Sequence, residues 1–207
     1  MENERNAQEE EEEEEEEAVQ RRQEGRRSSQ QVWSWGAGTE GQLGTGKLED
    51  EVLPQLLPHF NPFRSPISML ACGGAHVIAL TSDGKVMSWG RGTSGQLGHG
   101  EMLNSLYPKA VDFLESCTIS QVSAGWSHSG FVSDAGYLFA CGDGSFGQLG
   151  LGDCRSCATP TKVSFFDHKH VEQVACGMRH SLVLLKGPSG NQVYSFGSGK
   201  RGQLGLG

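Results

Sequence analysis

The sequence predicts an all-β chain, an incomplete β-propeller of three four-stranded blades plus the start of a fourth, and three observations predict it. One phrase, VMSWGRGTSGQLGHG over 86–100, recurs as VWSWGAGTEGQLGTG over 32–46, LFACGDGSFGQLGLG over 138–152 and VYSFGSGKRGQLGLG over 193–207. Its starts lie 54, 52 and 55 residues apart, and a second phrase keeps the same time: ACGGAH ends at His76, SAGWSH at His128 and ACGMRH at His180. Between these phrases the apolar or alternating runs are only 4–6 residues long, are bounded by Gly, Asp or Pro, and sustain no helical period. Four short strands per unit at a period near 50 residues is the mark of a propeller blade.

Taken in order, residues 1–30 open with nine consecutive glutamates (Glu9 to Glu17) and pass into Arg21-Arg22 and Arg26-Arg27. Like charges at this density repel and bury nothing apolar, so a disordered acidic/basic tail is expected. A solubilising leader is the expected role; a docking tail or a bipartite basic signal for nuclear entry is the functional alternative. Residues 31–207 form the repeat body, cut as 32–85, 86–137, 138–192 and a partial 193–207. Each repeat begins with a strand (Val32–Trp35, Val86–Trp89, Leu138–Cys141) and continues through the Gly-rich hairpin. A Pro-marked strand comes next, around Pro54, Pro108 and Pro160. Proline gives the ladder no N–H, which places that strand at a sheet edge. Then come Ile67–Cys72, Ile119–Ala124 and Val171–Cys176, leading through Gly-x-x-His into the last strand. Asp83-Gly84, Asp134-Ala135-Gly136 and Gly187-Pro188-Ser189-Gly190 turn back into the next repeat.

Bulk properties exclude several classes. Residues 1–30 carry 12 Glu against 5 Arg, a balance of −7, whereas 31–207 carry 13 acids against 12 bases, a balance of −1. A nearly neutral body has no general electrostatic drive onto DNA or anionic membrane, so neither direct nucleic-acid binding nor membrane association is expected. No run of 18 apolar residues exists, and the N-terminus is too acidic for a signal peptide. Cys72 and Cys176 share a repeat position with Ala124, which predicts a small buried slot and reduced thiols in the nucleus or cytoplasm.

The repeated residues look like chemistry and are better read as architecture. Gly36-x-Gly38-x-x-Gly41, Gly90-x-Gly92-x-x-Gly95, Gly142-x-Gly144-x-x-Gly147 and Gly197-x-Gly199-x-x-Gly202 all spell a dinucleotide fingerprint. That motif needs a helix whose N-terminus meets the pyrophosphate. The residues after it are instead Gln42-Leu43-Gly44, Gln96-Leu97-Gly98, Gln148-Leu149-Gly150 and Gln203-Leu204-Gly205, too glycine-rich to propagate one. Gly41 to Lys47 has phosphate-loop spacing, but Leu48 stands where a magnesium-binding Ser or Thr is required. These residues are therefore a structural repeat signature, and no cofactor is expected. His76, His128 and His180, one per repeat, do not converge on one atom; each is expected to tie its ring to the backbone within its own blade. Cys154-x-x-Cys157 lacks the second pair or the βαβ setting that would make it a zinc or redox site. No metal site and no catalytic residue is expected. Trp33, Trp35 and Trp89, replaced by Cys141 and Phe196 in the other copies, read as core packing.

The aromatic-x-x-Gly-x-x-x-x-Gly-Gln-Leu-Gly phrase with the Gly-x-x-His phrase resembles the repeat of the regulator of chromosome condensation (RCC1-like) family, over residues 32–207. The resemblance implies a seven-bladed ring, of which these residues supply three repeats. A truncated member, a fragment of a protein about twice as long, is therefore expected, since a propeller needs 4–8 blades to close. Its open ends should make it marginally stable and prone to associate. The family resemblance further implies a non-catalytic protein-interaction module. Its founding activity is nucleotide release from a Ran-type small GTPase at chromatin, so a guanine-nucleotide exchange factor or regulator is one expectation. Trp126, in Gly125-Trp126-Ser127-His128, resembles the Gly-Trp-x-His phrase of the family's plant ultraviolet-B receptors, where clustered tryptophans absorb light. The matching positions here are Gly74 and Met178. A substrate-recognition arm of a larger ligase or trafficking protein is the third expectation.

Overall fold

The computed structural model describes residues 30–57, 65–187 and 190–206. The expected tail, apart from Gln30, lies outside the described residues, as do Pro188 and Ser189 of the third turn. The chain divides after Gln31, and the unit from Val32 onward carries every strand of the described residues.

Among the described residues that unit holds thirteen strands, the number that three repeats of four plus one require. They are β1 (Trp33–Gly36), β2 (Glu51–Leu56), β3 (Ile67–Cys72), β4 (His76–Thr81), β5 (Val86–Gly90), β6 (Ser105–Ala110) and β7 (Ile119–Ala124). The rest are β8 (His128–Ser133), β9 (Leu138–Gly142), β10 (Cys157–Lys162), β11 (His170–Cys176), β12 (His180–Lys186) and β13 (Gln192–Gly197). Helical structure among the described residues is limited to two 3-10 turns, Asp112–Leu114 and Ser164–Phe166.

All pairing is antiparallel, but its grouping differs from the sequence repeats. The sheets are β1-β2, β3-β4-β5-β6, β7-β8-β9-β10 and β11-β12-β13. Each sequence repeat therefore gives its first two strands to one sheet and its last two to the next. Among the described residues the strands of three repeats and a start are thus distributed as two four-stranded blades between a two-stranded and a three-stranded sheet. The cut falls there because β4 and β5 are joined by a tight turn at Asp83-Gly84, closed by Gly84 N–H to the Thr81 carbonyl at 3.0 Å, whereas β2, β6 and β10 leave their sheets through longer links. Those three Pro-bearing strands each pair with a single neighbour, so proline sits at an edge. At the end of β5 the register with β6 slips between Ser88 and Gly90. Gly90 absorbs the bulge with φ +96°.

The hydrophobic core is a set of seams between sheets. One joins Ile78, Leu80 and Val86 to Ile119, Val122 and Phe131; a second joins Val132, Leu138 and Ala140 to Val171, Val174 and Val183. A third packs Val32 and Leu57 on Ala79, Met87 and Trp89. Polar ties cross the second seam: the Gln121 amide both donates to the Val174 carbonyl and accepts from the Val174 N–H, each at 2.9 Å.

Candidate interaction face and the histidine joints

Each position of the Gly-Gln-Leu-Gly signature has a mechanical task. The glutamine side-chain oxygen accepts the N–H of the residue two before it in all four copies: Glu40 to Gln42, Ser94 to Gln96, Phe146 to Gln148 and Arg201 to Gln203, at 2.8–2.9 Å. Leu43, Leu97 and Leu149 are buried. The carbonyls of Leu43, Leu97 and Leu204 accept from the hydroxyls of Ser34, Ser88 and Ser195. The glycines close successive turns, Gly41 N–H to Gly38 and Gly44 N–H to Gly41, with the same pair of bonds at Gly95 and Gly98, Gly147 and Gly150, and Gly202 and Gly205. After the first three copies the next element among the described residues is a strand, β2, β6 or β10, where a pyrophosphate cradle would need a helix.

His76 and His128 act across sheets, which corrects the expectation that each ties its ring to the backbone within its own blade. His76 on β4 holds Ser129 Oγ on β8 through Nε2 at 2.9 Å, and His128 on β8 holds Ser181 Oγ on β12 at 2.9 Å. Each serine hydroxyl in turn donates backwards, Ser129 to the Gln96 carbonyl at 2.6 Å and Ser181 to the Gln148 carbonyl at 2.8 Å. A hydroxyl has one proton, and here the carbonyl takes it, so histidine Nε2 must be the donor and carry the ring hydrogen. The preceding sheet thus grips one serine at two points. In the first repeat the serine position is Val77, and Trp89 Nε1 donates to the Gln42 carbonyl at 3.0 Å instead. Cys141, in the Trp89 position, places its thiol 3.7 Å from the Gln96 carbonyl. The sequence missed Ser129 and Ser181, yet a signal existed: serine comes after histidine only in the copies with a histidine one period earlier.

Both rings are buried, at 1% exposure, and stay neutral. Burial, with repulsion from His128 and Arg91, pushes His76 down to about 3. Burial pushes His128 down to about 4, aided by His180 and opposed by Asp143. Neutral histidines that each hold one serine make a joint, not a metal or proton-transfer site. Among the described residues no group of three or more His, Cys, Asp or Glu gathers to hold a metal. Ser129→Ala is expected to strand the His76 N–H and to cost about 2 kcal/mol, since an unmade bond to a buried polar group costs roughly 1–3 kcal/mol. Urea unfolding at constant slope measures it; a loss below about 0.5 kcal/mol would dismiss the joint as a stabilising device.

The cysteines are all free. Cys141 is fully buried and its thiol is pushed up by that burial, while Cys72 is exposed, unlike the small buried slot expected for it. Cys154 is exposed; burial raises the Cys157 thiol, but hydrogen bonds with Thr159 and Thr161 outweigh it and hold it below the usual value.

One edge of the sheets carries the exposed side chains that chemistry can use. In successive sheets the Gly-x-x-His loop lies beside the residue after the first-strand glycine: Arg91 N–H to Ala75 O, Asp143 N–H to Ser127 O and Ser198 N–H to Arg179 O, each 2.8 Å. The loops are also stitched to one another, Gly74 N–H to Gly125 O and Trp126 N–H to Gly177 O, both 3.0 Å. The result is a continuous ledge. Trp126 stands on it half-exposed, over Gly74, where an added Cβ would lie 2.9 Å from the indole ring. Arg91 reaches Ser127 Oγ at 2.7 Å, Met178 is exposed, and the Arg179 guanidinium lies 4.7 Å from the Phe146 ring centre. Of the other tryptophans, only Trp89 is core; Trp33 and Trp35 are exposed on β1, which corrects their reading as packing residues.

The RCC1-like domain family matches residues 29–207. Among relatives, the ultraviolet-B receptor UVR8 of Arabidopsis thaliana is 36% identical over 85% of this chain and 39% of its own length. The human probable E3 ubiquitin-protein ligase HERC3 is 40% identical over 86% of this chain and 17% of its own length. Among solved structures, Prp20p of Saccharomyces cerevisiae, described with its binding properties to Gsp1p and histones, superposes with a TM-score of 0.66 at 27% identity, covering 86% of this chain and 43% of that one. The chain spans less than half the length of each. With a matching domain over the whole of the unit from Val32 onward, the same blade architecture and the same repeated phrase, the chain belongs to the RCC1-like domain family.

Proposed function

We propose that the chain is a non-catalytic interaction module whose ledge of Gly-x-x-His loops docks a protein partner. The observation that carries this is the placement of Trp126, Met178, Arg91 and Arg179 along one stitched edge. Aromatic residues, methionine and arginine are the types enriched where protein interfaces concentrate their energy. The buried histidines, glutamines and glycines are spent on architecture, which leaves the ledge as the variable, chemically distinct surface. The finer reading is a guanine-nucleotide exchange factor or regulator of a small GTPase, acting in the nucleus or cytoplasm, with a chromatin component as a further partner. It is supported by the family and by the relative that binds Gsp1p and histones. Exchange needs no chemistry from the module; it needs tighter binding to the empty GTPase than to the loaded one.

Titration of a Ran-type GTPase, empty and GDP-loaded, tests it. Preferential binding to the empty form and release of labelled GDP are expected, with Trp126→Ala weakening binding at least about 10-fold, as truncation of an interface anchor does. Equal affinity for both forms would end the exchange reading, and unchanged affinity of Trp126→Ala would remove the ledge from the interface. The light-receptor reading is supported by Trp126 and the likeness to UVR8, but Gly74 and Met178 stand where it needs further indoles. The reading as a recognition arm of a ligase is supported by the likeness to HERC3, in which the matching stretch is 17% of the whole.

A further inference from the structure

Cys154 and Cys157 lie where the third Gly-rich hairpin passes into the edge strand β10, and the second thiol has a setting that the earlier copies lack. Its place is held by Glu51 and Ser105 in those copies, so the fold does not require sulfur there. The Ser105 hydroxyl donates to the carbonyl two residues on, that of Tyr107, at 2.8 Å. Cys157 Sγ makes the same local contact, donating to the Thr159 carbonyl at 3.2 Å. Around it stand two further oxygens, Thr161 Oγ1 at 3.1 Å and Thr159 Oγ1 at 3.5 Å; the second copy has Lys109 and Tyr107 at those places. The Thr161 hydroxyl donates to the Thr159 carbonyl at 3.1 Å, and a turn about its C–O bond aims it at the sulfur. Two hydroxyls are thus in place to donate to a thiolate when the thiol proton leaves. Hydrogen bonds to a charged form favour that form. Burial raises the Cys157 thiol, yet the bonds with Thr159 and Thr161 hold it below its usual value. Burial pushes the thiols of Cys72, Cys141 and Cys176 up.

Cys154 is exposed. That exposure belongs to its place in the repeat: Leu48 and Met102 hold the place in copies that a further whole sheet follows, and they are exposed too, at 53% and 48%. The chain between the two cysteines is not tied into a ladder. Residues 153–156 belong to no strand, and β10 meets β9 at Cys157 opposite Gly142 and next at Thr161 opposite Ala140, four residues against two. Ser156 Oγ accepts the Gly144 N–H at 3.3 Å, a long bond that a shift of the loop gives up cheaply. A turn over four residues brings its end Cα atoms within about 7 Å, the reach of a disulfide. We propose that Cys157 is a site of oxidation by hydrogen peroxide and that Cys154 is its resolving thiol, so that this loop closes a reversible disulfide. The Cys157 sulfur attacks one peroxide oxygen; the S–O bond forms, the O–O bond breaks, and the other oxygen leaves as water with the thiol proton. The Cys154 sulfur then attacks the Cys157 sulfur. The S–S bond forms, the S–O bond breaks, and the hydroxyl leaves with the Cys154 proton as a second water. Two thiols are oxidised and one peroxide is reduced.

The test treats the full chain with hydrogen peroxide and follows its thiols by peptide mass. The wild type is expected to lose two hydrogens from the peptide holding Cys154 and Cys157, before any change at Cys72 or Cys117, and to regain them with dithiothreitol. Cys154→Ser should leave the Cys157 sulfenic acid to be captured by dimedone. Cys157→Ser, which keeps the local bond that Ser105 makes, should leave Cys154 reduced at the same dose. Thr161→Val tests the oxygen setting: the pH at which Cys157 becomes reactive toward iodoacetamide should move up, and Thr161→Ser, which restores the hydroxyl, should bring it back. A purely structural role for Thr161 would leave that pH where it is. A wild type in which Cys72 or Cys117 oxidises first or no Cys154–Cys157 disulfide forms would overturn the proposal. So would a Cys154→Ser chain without the dimedone adduct, a Cys157→Ser chain oxidised at Cys154 as readily as the wild type, or a Thr161→Val profile equal to the wild type's.

Discussion

Lowering the pH from 7.5 to 5 is expected to remove about 4 kcal/mol of folding stability from the repeat body, about 2 kcal/mol for each of His76 and His128. The unfolded chain protonates a histidine near pH 6.5, whereas the folded chain holds His76 down to about 3 and His128 down to about 4. Above pH 6.5 neither state binds the proton and nothing is lost. Between pH 6.5 and about 4 the unfolded state gains protons that the folded state refuses, so stability falls with falling pH throughout that window. His99, also lowered by burial, acts in the same direction. The carboxylates that fold with lowered values, among them Asp83, Asp143 and Asp153, begin from about 3.8 and so add their own loss only at lower pH. Urea unfolding at a series of pH values measures the slope. The double variant His76→Asn, His128→Asn should be less stable at pH 7.5 but should lose most of the pH dependence between 7 and 5. A wild-type stability flat over that range would mean that the rings are solvated and take up protons in the folded state as they do in the unfolded one.

How much of this was legible in the sequence depends on whether a residue's neighbours lie within its own repeat. The strands, their number and the proline edges were legible because they derive from runs, turns and the missing proline N–H. The phase of the sheets was not legible. A periodic sequence has no origin, and only the lengths of the links show where to cut: the tight turn at Asp83-Gly84 joins strands that pair, while the longer passage from β6 through the 3-10 turn at Asp112–Leu114 joins strands that do not. The histidines were recognised as structural, but their partners were misplaced, because Ser129 and Ser181 lie 53 residues on, beyond any local pattern. Trp35 and Trp89 occupy one repeat position and differ from 61% to 2% exposure. Their own residues do not decide that; the presence of a preceding hairpin does, since Trp89 lies on Gln42 and Trp35 has no such neighbour among the described residues.

Gly92→Ala is expected to destabilise the repeat body by roughly 3 kcal/mol or more, far beyond what loss of a flexible turn residue would cost. The three glycines of each Gly-x-Gly-x-x-Gly phrase are not equivalent. The middle one, Gly38, Gly92 or Gly144, is kept small by a backbone oxygen lying against it. A Cβ there would sit 1.8 Å from the Glu49 carbonyl oxygen, 1.9 Å from that of Leu103 or 2.0 Å from that of Arg155. Backbone cannot rotate away as a side chain does. At Gly92 the hairpin would have to open, pulling the Gly92 N–H from the Asn104 side-chain oxygen that accepts it at 3.0 Å and displacing the buried Leu97 beside it. Gly147→Ala is the control. There the cost is only that of a left-handed conformation, roughly 1–2 kcal/mol, since its Cβ would meet nothing. Chemical unfolding of the two variants, compared at equal slope, separates the causes. Equal losses would show that the Leu103 carbonyl against Gly92 costs no more than the left-handed φ at Gly147, and a Gly92→Ala protein as stable as the wild type would show that the hairpin is wider than the geometry described. The expected inequality ties the fingerprint spacing to its origin here: the second glycine, which in a nucleotide-binding loop lets a phosphate approach the backbone, in this chain lets the segment that leads into the Pro-bearing edge strand do so.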